Sequence, residues 1–289
     1  MKTDYLVKSL AFNGEIRVYA ARTTGLVEVA NQNVKAYPTA AAALGRTLTA
    51  TVMIGSMLKG KETVTVRING GGPIGLILAD ANAHGKVRGY AENPRVHFQY
   101  DSGKLNVGMA VGTAGDLYVT KDLGLKDYFT GQVPLQTGEI GDDFTYYFAQ
   151  SEQIPSAVGL GVLVSPENTV LAAGGFIIQV MPDASDATIS ALEKTLATIR
   201  PVSDMIADGL TPEDMTAELV GEDNFKALET MSLAFECNCS KERFTPMLVS
   251  LGNEELELMI AEDHGAEANC HFCMQKYQFT ASELEALKK

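Results

Sequence analysis

Four cysteines are the residues of this 289-residue chain whose type and spacing point most directly to a chemistry. Cys237 and Cys239 are one residue apart, Cys270 and Cys273 are two apart, and residues 240–269 lie between the pairs. No other cysteine is present. Each pair can present two sulfurs from one short piece of backbone, and the intervening loop can bring the pairs together. Three chemistries use such a set. Zinc takes four thiolates tetrahedrally at about 2.3 Å. A C-x2-C half is also the spacing of a redox-active dithiol. Two disulfides could staple a small secreted module, but a chain of this length buries a core without staples. The first two chemistries need not exclude each other, because thiolates that hold zinc are also the atoms an oxidant attacks.

Other chemically capable residues form no comparable pattern. His264 and His271 lie near the cysteines, but four thiolates already complete a tetrahedral shell. His84 and His97 stand in turn-like or strand-like sequence with no motif around them. The run Gly70-Gly71-Gly72-Pro73 lacks the Lys-Ser/Thr and the helix of a phosphate loop and reads as a hairpin turn. No nucleophile, base and acid are arranged for catalysis, so no enzyme is expected.

The elements around these residues suggest an α+β protein in three parts. Residues 1–182 read as a sheet-dominated core domain. Tyr5 to Phe12 and Ile16 to Ala21 are strands joined across Asn13-Gly14, a type I′ signal. A helix is expected from Thr24, and a long one from Pro38-Thr39 to Leu58, rich in small residues. That stretch contains Arg46, Thr47, Thr49 and Thr51 and is too polar for a membrane span. Further strands are expected at Thr63–Asn69, Ile74–Ala79, Val87–Tyr90, Leu105–Val111, Gly115–Thr120, Ala157–Val164 and Val170–Val180, with a helix over Ile140–Gln150. Residues 183–230 read as a helical linker, with a helix capped by Ser185 or Asp186 that puts Ile189, Leu192, Leu196 and Ile199 on one face, a second helix at Thr211-Pro212 and a third over Phe225–Ala234. Residues 231–289 carry ten acidic against five basic residues and few large apolar ones, with short helices expected from Thr245-Pro246 and over Glu254–Ile260 and a capping box at Thr280-Ala281-Ser282-Glu283. A metal would supply what that core lacks, since structural zinc contributes roughly 10–16 kcal/mol in small domains.

Composition narrows the function. Hydrophobic residues make up 46% and charged residues 20%, as in ordinary soluble proteins. A formal net charge of −13 repels phosphate backbones and anionic lipid, so neither nucleic acid nor membrane is an expected partner. The N-terminal residues lead into no apolar signal region, which fits reduced cysteines in a cytoplasm.

The segment Cys237-Asn238-Cys239-Ser240-Lys241-Glu242-Arg243, with Cys270-His271-Phe272-Cys273, resembles the zinc signature of the bacterial 33-kDa redox-regulated chaperone family. Tyr37-Pro38-Thr39, Arg67 to Gly75 and Gly89-Tyr90-Ala91-Glu92-Asn93-Pro94 resemble the same family, so the likeness spans essentially the whole chain. It implies a cytoplasmic, homodimeric, ATP-independent holdase for unfolding client proteins. It further implies a chain held inactive with Zn2+ on Cys237, Cys239, Cys270 and Cys273. Oxidation would form the disulfides Cys237–Cys239 and Cys270–Cys273, release zinc and unfold the tail and linker. The shortest loops close most easily, in keeping with that pairing. A thiol-disulfide oxidoreductase is the alternative enzyme reading. A zinc-ribbon nucleic-acid binder would need basic and aromatic residues that the acidic tail does not offer.

Overall fold

The computed structural model describes residues 3–288 and divides between Glu236 and Cys237 into two compact units. In the first, β1 (Tyr5–Ala11) and β2 (Ile16–Arg22) form a hairpin. Asn13 and Gly14 have φ of 54° and 99°, and the Glu15 N–H donates to the Phe12 carbonyl at 3.1 Å. The expected type I′ turn is therefore present, set within a longer loop. Next come α1 (Thr24–Val34), α2 (Pro38–Gly55), β3 (Thr63–Asn69), β4 (Ile77–Asn82), β5 (Lys86–Ala91), α3 (Val107–Val111), β6 (Asp116–Asp122), β7 (Phe129–Pro134) and α4 (Gly141–Gln150). The unit continues with β8 (Ser156–Val164), β9 (Val170–Val180), α5 (Asp186–Leu196), α6 (Val202–Ala207), α7 (Pro212–Val220), β10 (Phe225–Ser232) and β11 (Ala234–Phe235). One sheet runs β10-β1-β2-β9-β8 and the other β11-β5-β4-β3-β6-β7.

Helix α2 is the centre of this unit and touches strands of both sheets. Only Pro38 and Arg46 of its residues escape full burial, which is why its sequence is apolar and small all round. A Cβ at Gly45 would stand 2.6 Å from Val27 Cγ1, so that position needs a glycine for close packing. The hydroxyls of Thr47, Thr49 and Thr51 donate to the carbonyls four residues back at 2.9, 2.8 and 2.7 Å. The polar atoms that make a membrane span implausible are thus satisfied within a buried helix. Among the described residues no helix is long and apolar enough to cross a membrane.

The glycine-rich run is the turn between β3 and β4, and it serves packing. A Cβ at Gly70 or Gly72 would meet a backbone oxygen of the 110–112 segment at 2.2 or 2.4 Å. The Gly72 N–H donates to Val111 O at 2.9 Å, and the Ala114 N–H to Gly70 O at 2.9 Å.

The residues expected as a linker, 183–230, lie in the first unit. Helices α5–α7 cover the first sheet with Leu192, Val202, Met205, Ile206, Met215 and Leu219, packed on Ile16, Val18, Phe176 and Ile178. Leu196 and Ile199 lie at the margin of this cluster, and Ile189 is only half-buried. Ser185 caps α5, and Thr211 with Asp214 forms a capping box on α7.

Two expected elements are of the other kind. Phe225–Ala234, read as a helix, supplies β10, because pairing with β1 on the sheet edge outweighs the helix preference of Ala, Leu, Glu and Met. Leu105–Val111, read as a strand, contains the short helix α3, whose Asn106 side chain accepts from the Met109 N–H at 2.8 Å. Strand β7 and helix α6 carried too little periodicity to be expected.

The second unit contains α8 (Lys241–Leu251), α9 (Asn253–Glu262), β12 (Gly265–Asn269), β13 (Lys276–Thr280) and α10 (Ala281–Glu285). Helix α8 begins before the expected Thr245-Pro246 start and carries Pro246 inside it, forgoing one backbone bond. The capping box of Thr280 and Glu283 on α10 is present as expected. Strands β12 and β13 form an antiparallel hairpin. The buried apolar cluster of this unit consists of Leu248, Leu256, Phe279 and Leu284, with half-buried neighbours such as Phe244 and Tyr277.

Candidate metal centre

The two cysteine pairs reach the centre from different kinds of backbone. Cys237 and Cys239 lie in an extended, irregular stretch before α8, where a single spacer sends both side chains the same way. Cys270 and Cys273 lie in the loop of the β12–β13 hairpin. That loop is closed by the Cys270 N–H on Gln275 O at 3.0 Å and the Met274 N–H on Cys270 O at 2.8 Å. Met274 takes a φ of 58°, the left-handed conformation needed to reverse so tightly.

All four Sγ atoms lie within 4.8 Å of one another, and none is in a disulfide. The Cys237–Cys270 sulfurs are 3.6 Å apart and the Cys239–Cys273 sulfurs 3.3 Å. A tetrahedral shell with zinc–sulfur bonds of about 2.3 Å places its sulfurs about 3.8 Å from one another. The two sulfur contacts fall slightly inside that spacing and all the sulfurs lie within 4.8 Å, so the cluster is compact enough for one ion. The backbone amides of Cys239 and Gln275 pull the Cys237 and Cys273 thiols downward, which favours thiolates. Neither His264 nor His271 joins the cluster.

The acidities of the thiols diverge. Burial pushes Cys237 and Cys273 up, and hydrogen bonding to neighbouring thiols adds to the rise. Burial opposes ionisation of Cys239 as well, but the Tyr277 hydroxyl and the three other thiols outweigh it and bring that thiol down to about 7. Tyr277 is raised, chiefly by its hydrogen bond to Cys239. Four thiols this close cannot all shed protons without a cation, so the donor set suits a soft divalent metal. The residue that sequence reading missed is Tyr277. Its hydroxyl is 3.2 Å from Cys239 Sγ and donates to Cys239 O at 3.0 Å. Its place four residues after Cys273 was the available signal.

A large α+β unit followed by a small one gathered around four free thiols defines a two-part protein whose cysteines could hold a metal ion. Known proteins are similar to it over nearly the whole chain. The family model described as Hsp33 protein matches residues 4–280. A 33 kDa chaperonin of Staphylococcus carnosus is 57% identical over 288 residues, covering 99% of this chain and 98% of its own. The 33 kDa chaperonin of Geobacillus kaustophilus is 58% identical over 287 residues, again covering 99% and 98%. The crystal structure of the 33 kDa chaperonin, heat shock protein 33 homolog, of Thermotoga maritima matches with a TM-score of 0.91 at 34% identity, over 99% of this chain and 97% of that one. The chain belongs to the Hsp33 family, and membership supports a chaperone function.

Proposed function

We propose that this chain is a redox-regulated, ATP-independent holdase, not an enzyme, kept inactive while Cys237, Cys239, Cys270 and Cys273 hold zinc. The observation that carries the reading is the gathering of four unbridged thiols in a unit with so small an apolar core. Zinc bound there would act as a structural cross-link and a Lewis acid that stabilises thiolates.

The chemistry of the switch belongs to the cysteines. A thiolate attacks one oxygen of a peroxide, becomes a sulfenic acid and releases hydroxide. A second thiolate attacks that sulfur, forms the S–S bond and releases a second hydroxide. The pair has lost two electrons and the peroxide has gained them. We assign the pairs as Cys237–Cys239 and Cys270–Cys273. Two sulfur contacts in the folded centre run between the halves, at 3.6 and 3.3 Å, so within-pair bridging would compete with cross-pair bridging until the halves part. Once they part, the shortest loops close first.

Loss of the four ligands unfolds the second unit, and the helical layer α5–α7 is the element that must then let go. Beneath it lie Ile16, Val18, Phe176 and Ile178, an apolar face suited to unfolded segments. Cytoplasmic location and a homodimer complete the reading, and the net charge of −13 leaves neither nucleic acid nor membrane as partner. The deciding experiment measures zinc and free thiols before and after peroxide, with light scattering of an aggregating client in parallel. One zinc lost, four thiols consumed and stoichiometric suppression of aggregation are expected. Catalytic turnover of insulin disulfides without suppression would replace the holdase with an oxidoreductase.

A further inference from the structure

We propose that Tyr277 is a positioning residue for the cysteine centre, joining its two halves through a hydroxyl that binds Cys239. Tyr277 stands on β13, the strand that leaves the loop of Cys270 and Cys273. It reaches the other half, with its oxygen 3.2 Å from Cys239 Sγ and its O–H donating to Cys239 O at 3.0 Å. The ring is fixed from two sides. Its backbone pairs with Ala268, and its face tilts against Phe244 of α8 at a centroid distance of 5.3 Å.

The hydroxyl thus lies within reach of both the sulfur and the carbonyl of Cys239, and it tethers the C-x-C half to the hairpin half. Partners of this kind orient a ligand and typically change metal affinity by about 10–100-fold.

The inference rests on the reading that the four cysteines hold zinc. The test is zinc competition against a chromophoric chelator under reducing conditions, using the full chain, Tyr277→Phe and, as a control in the same unit's apolar cluster, Leu284→Val. Cobalt(II)-loaded samples supply a second readout in the sulfur-to-metal charge-transfer band. Tyr277→Phe should bind zinc about 10–100-fold more weakly and shift that band, because the hydroxyl that holds Cys239 is gone. Leu284→Val should leave band and affinity near those of the parent. Tyr277→Phe that takes up no zinc, beside normal loading of Leu284→Val, also supports the role. Equal affinity in Tyr277→Phe and the parent, or equal weakening in both variants, overturns it. A parent chain that binds no zinc removes the metal reading itself. A zinc-loaded parent beside an unaffected Tyr277→Phe removes only the inference.

Discussion

The two units of this chain solve the same stability problem by different means. Residues 3–236 bury a continuous apolar core around α2 and a second cluster under α5–α7. Residues 237–288 bury Cys270 and a small apolar cluster of Leu248, Leu256, Phe279 and Leu284, beside half-buried contacts and surface ion pairs such as Lys241–Glu283 and Lys276–Glu267. Exposed pairs of that sort contribute about 0–1 kcal/mol each. A fully buried large side chain contributes about 1.5–3 kcal/mol, whereas structural zinc contributes about 10–16. On the proposed function the first unit would be insensitive to cysteine chemistry and the second governed by it, because an oxidant can act on sulfur but not on a core of leucine and valine.

The largest expected effect is metal removal. Chelation of the reduced protein should cost the second unit about 10–16 kcal/mol and abolish amide protection across residues 237–288, while the sheets of the first unit stay protected. Hydrogen exchange read by mass spectrometry checks this. Persistent protection of α8–α10 without zinc would erase the contrast.

A core truncation probes the other side. Phe144 is fully buried, so Phe144→Ala should destabilise the first unit by about 3–5 kcal/mol and leave zinc affinity unchanged. Calorimetry with a zinc titration distinguishes the two units. A parallel loss of zinc binding would show that they do not behave separately.

The helical layer lies between these extremes. Leu192 is buried and Leu196 half-buried against the first sheet. Leu192→Glu with Leu196→Glu should forfeit about 1.5–3 kcal/mol at the first position and less at the second. Light scattering of the reduced double variant should show holdase activity with zinc retained. A folded, zinc-loaded and inactive variant would move the latch to Met205, Met215 and Leu219, the more deeply buried anchors.

The smallest effect is a pH dependence at the start of α5. Glu15 accepts from Ser185 N at 3.0 Å and Ser185 Oγ at 2.9 Å. Hydrogen bonding from Thr188, and then from Ser185, holds this carboxyl below its ordinary 4.5. A lowered folded-state pKa means the contribution is complete above 4.5 and is lost as pH falls through the folded value. Proteolysis near residues 183–186 should rise with acid in that window, and Glu15→Gln should flatten the profile.

Sequence by itself singled out the four cysteines that the structure gathers, and most of the scaffold. The cysteine pairs were legible because metal-type spacing is a local constraint. Strands β3 and β9 coincide with their expected bounds because alternation marks a half-buried strand and a nearly continuous apolar run a buried one. Helix starts at Ser185, Thr211 and Thr280 were visible because caps act within a few residues. Tertiary structure alone decided the rest. Residues 225–232 have helix-forming side chains and largely exposed positions, and only the free edge of β1 makes them a strand. Gly70 and Gly72 were readable as a turn, but the backbone they admit at 110–112 lies far away in sequence. The Tyr277 hydroxyl meets Cys239 across thirty-eight residues, and its place near Cys273 does not by itself encode a contact of that range. What a few neighbouring residues constrain can be read in order, whereas contacts made across a fold depend on which surfaces the completed chain brings together.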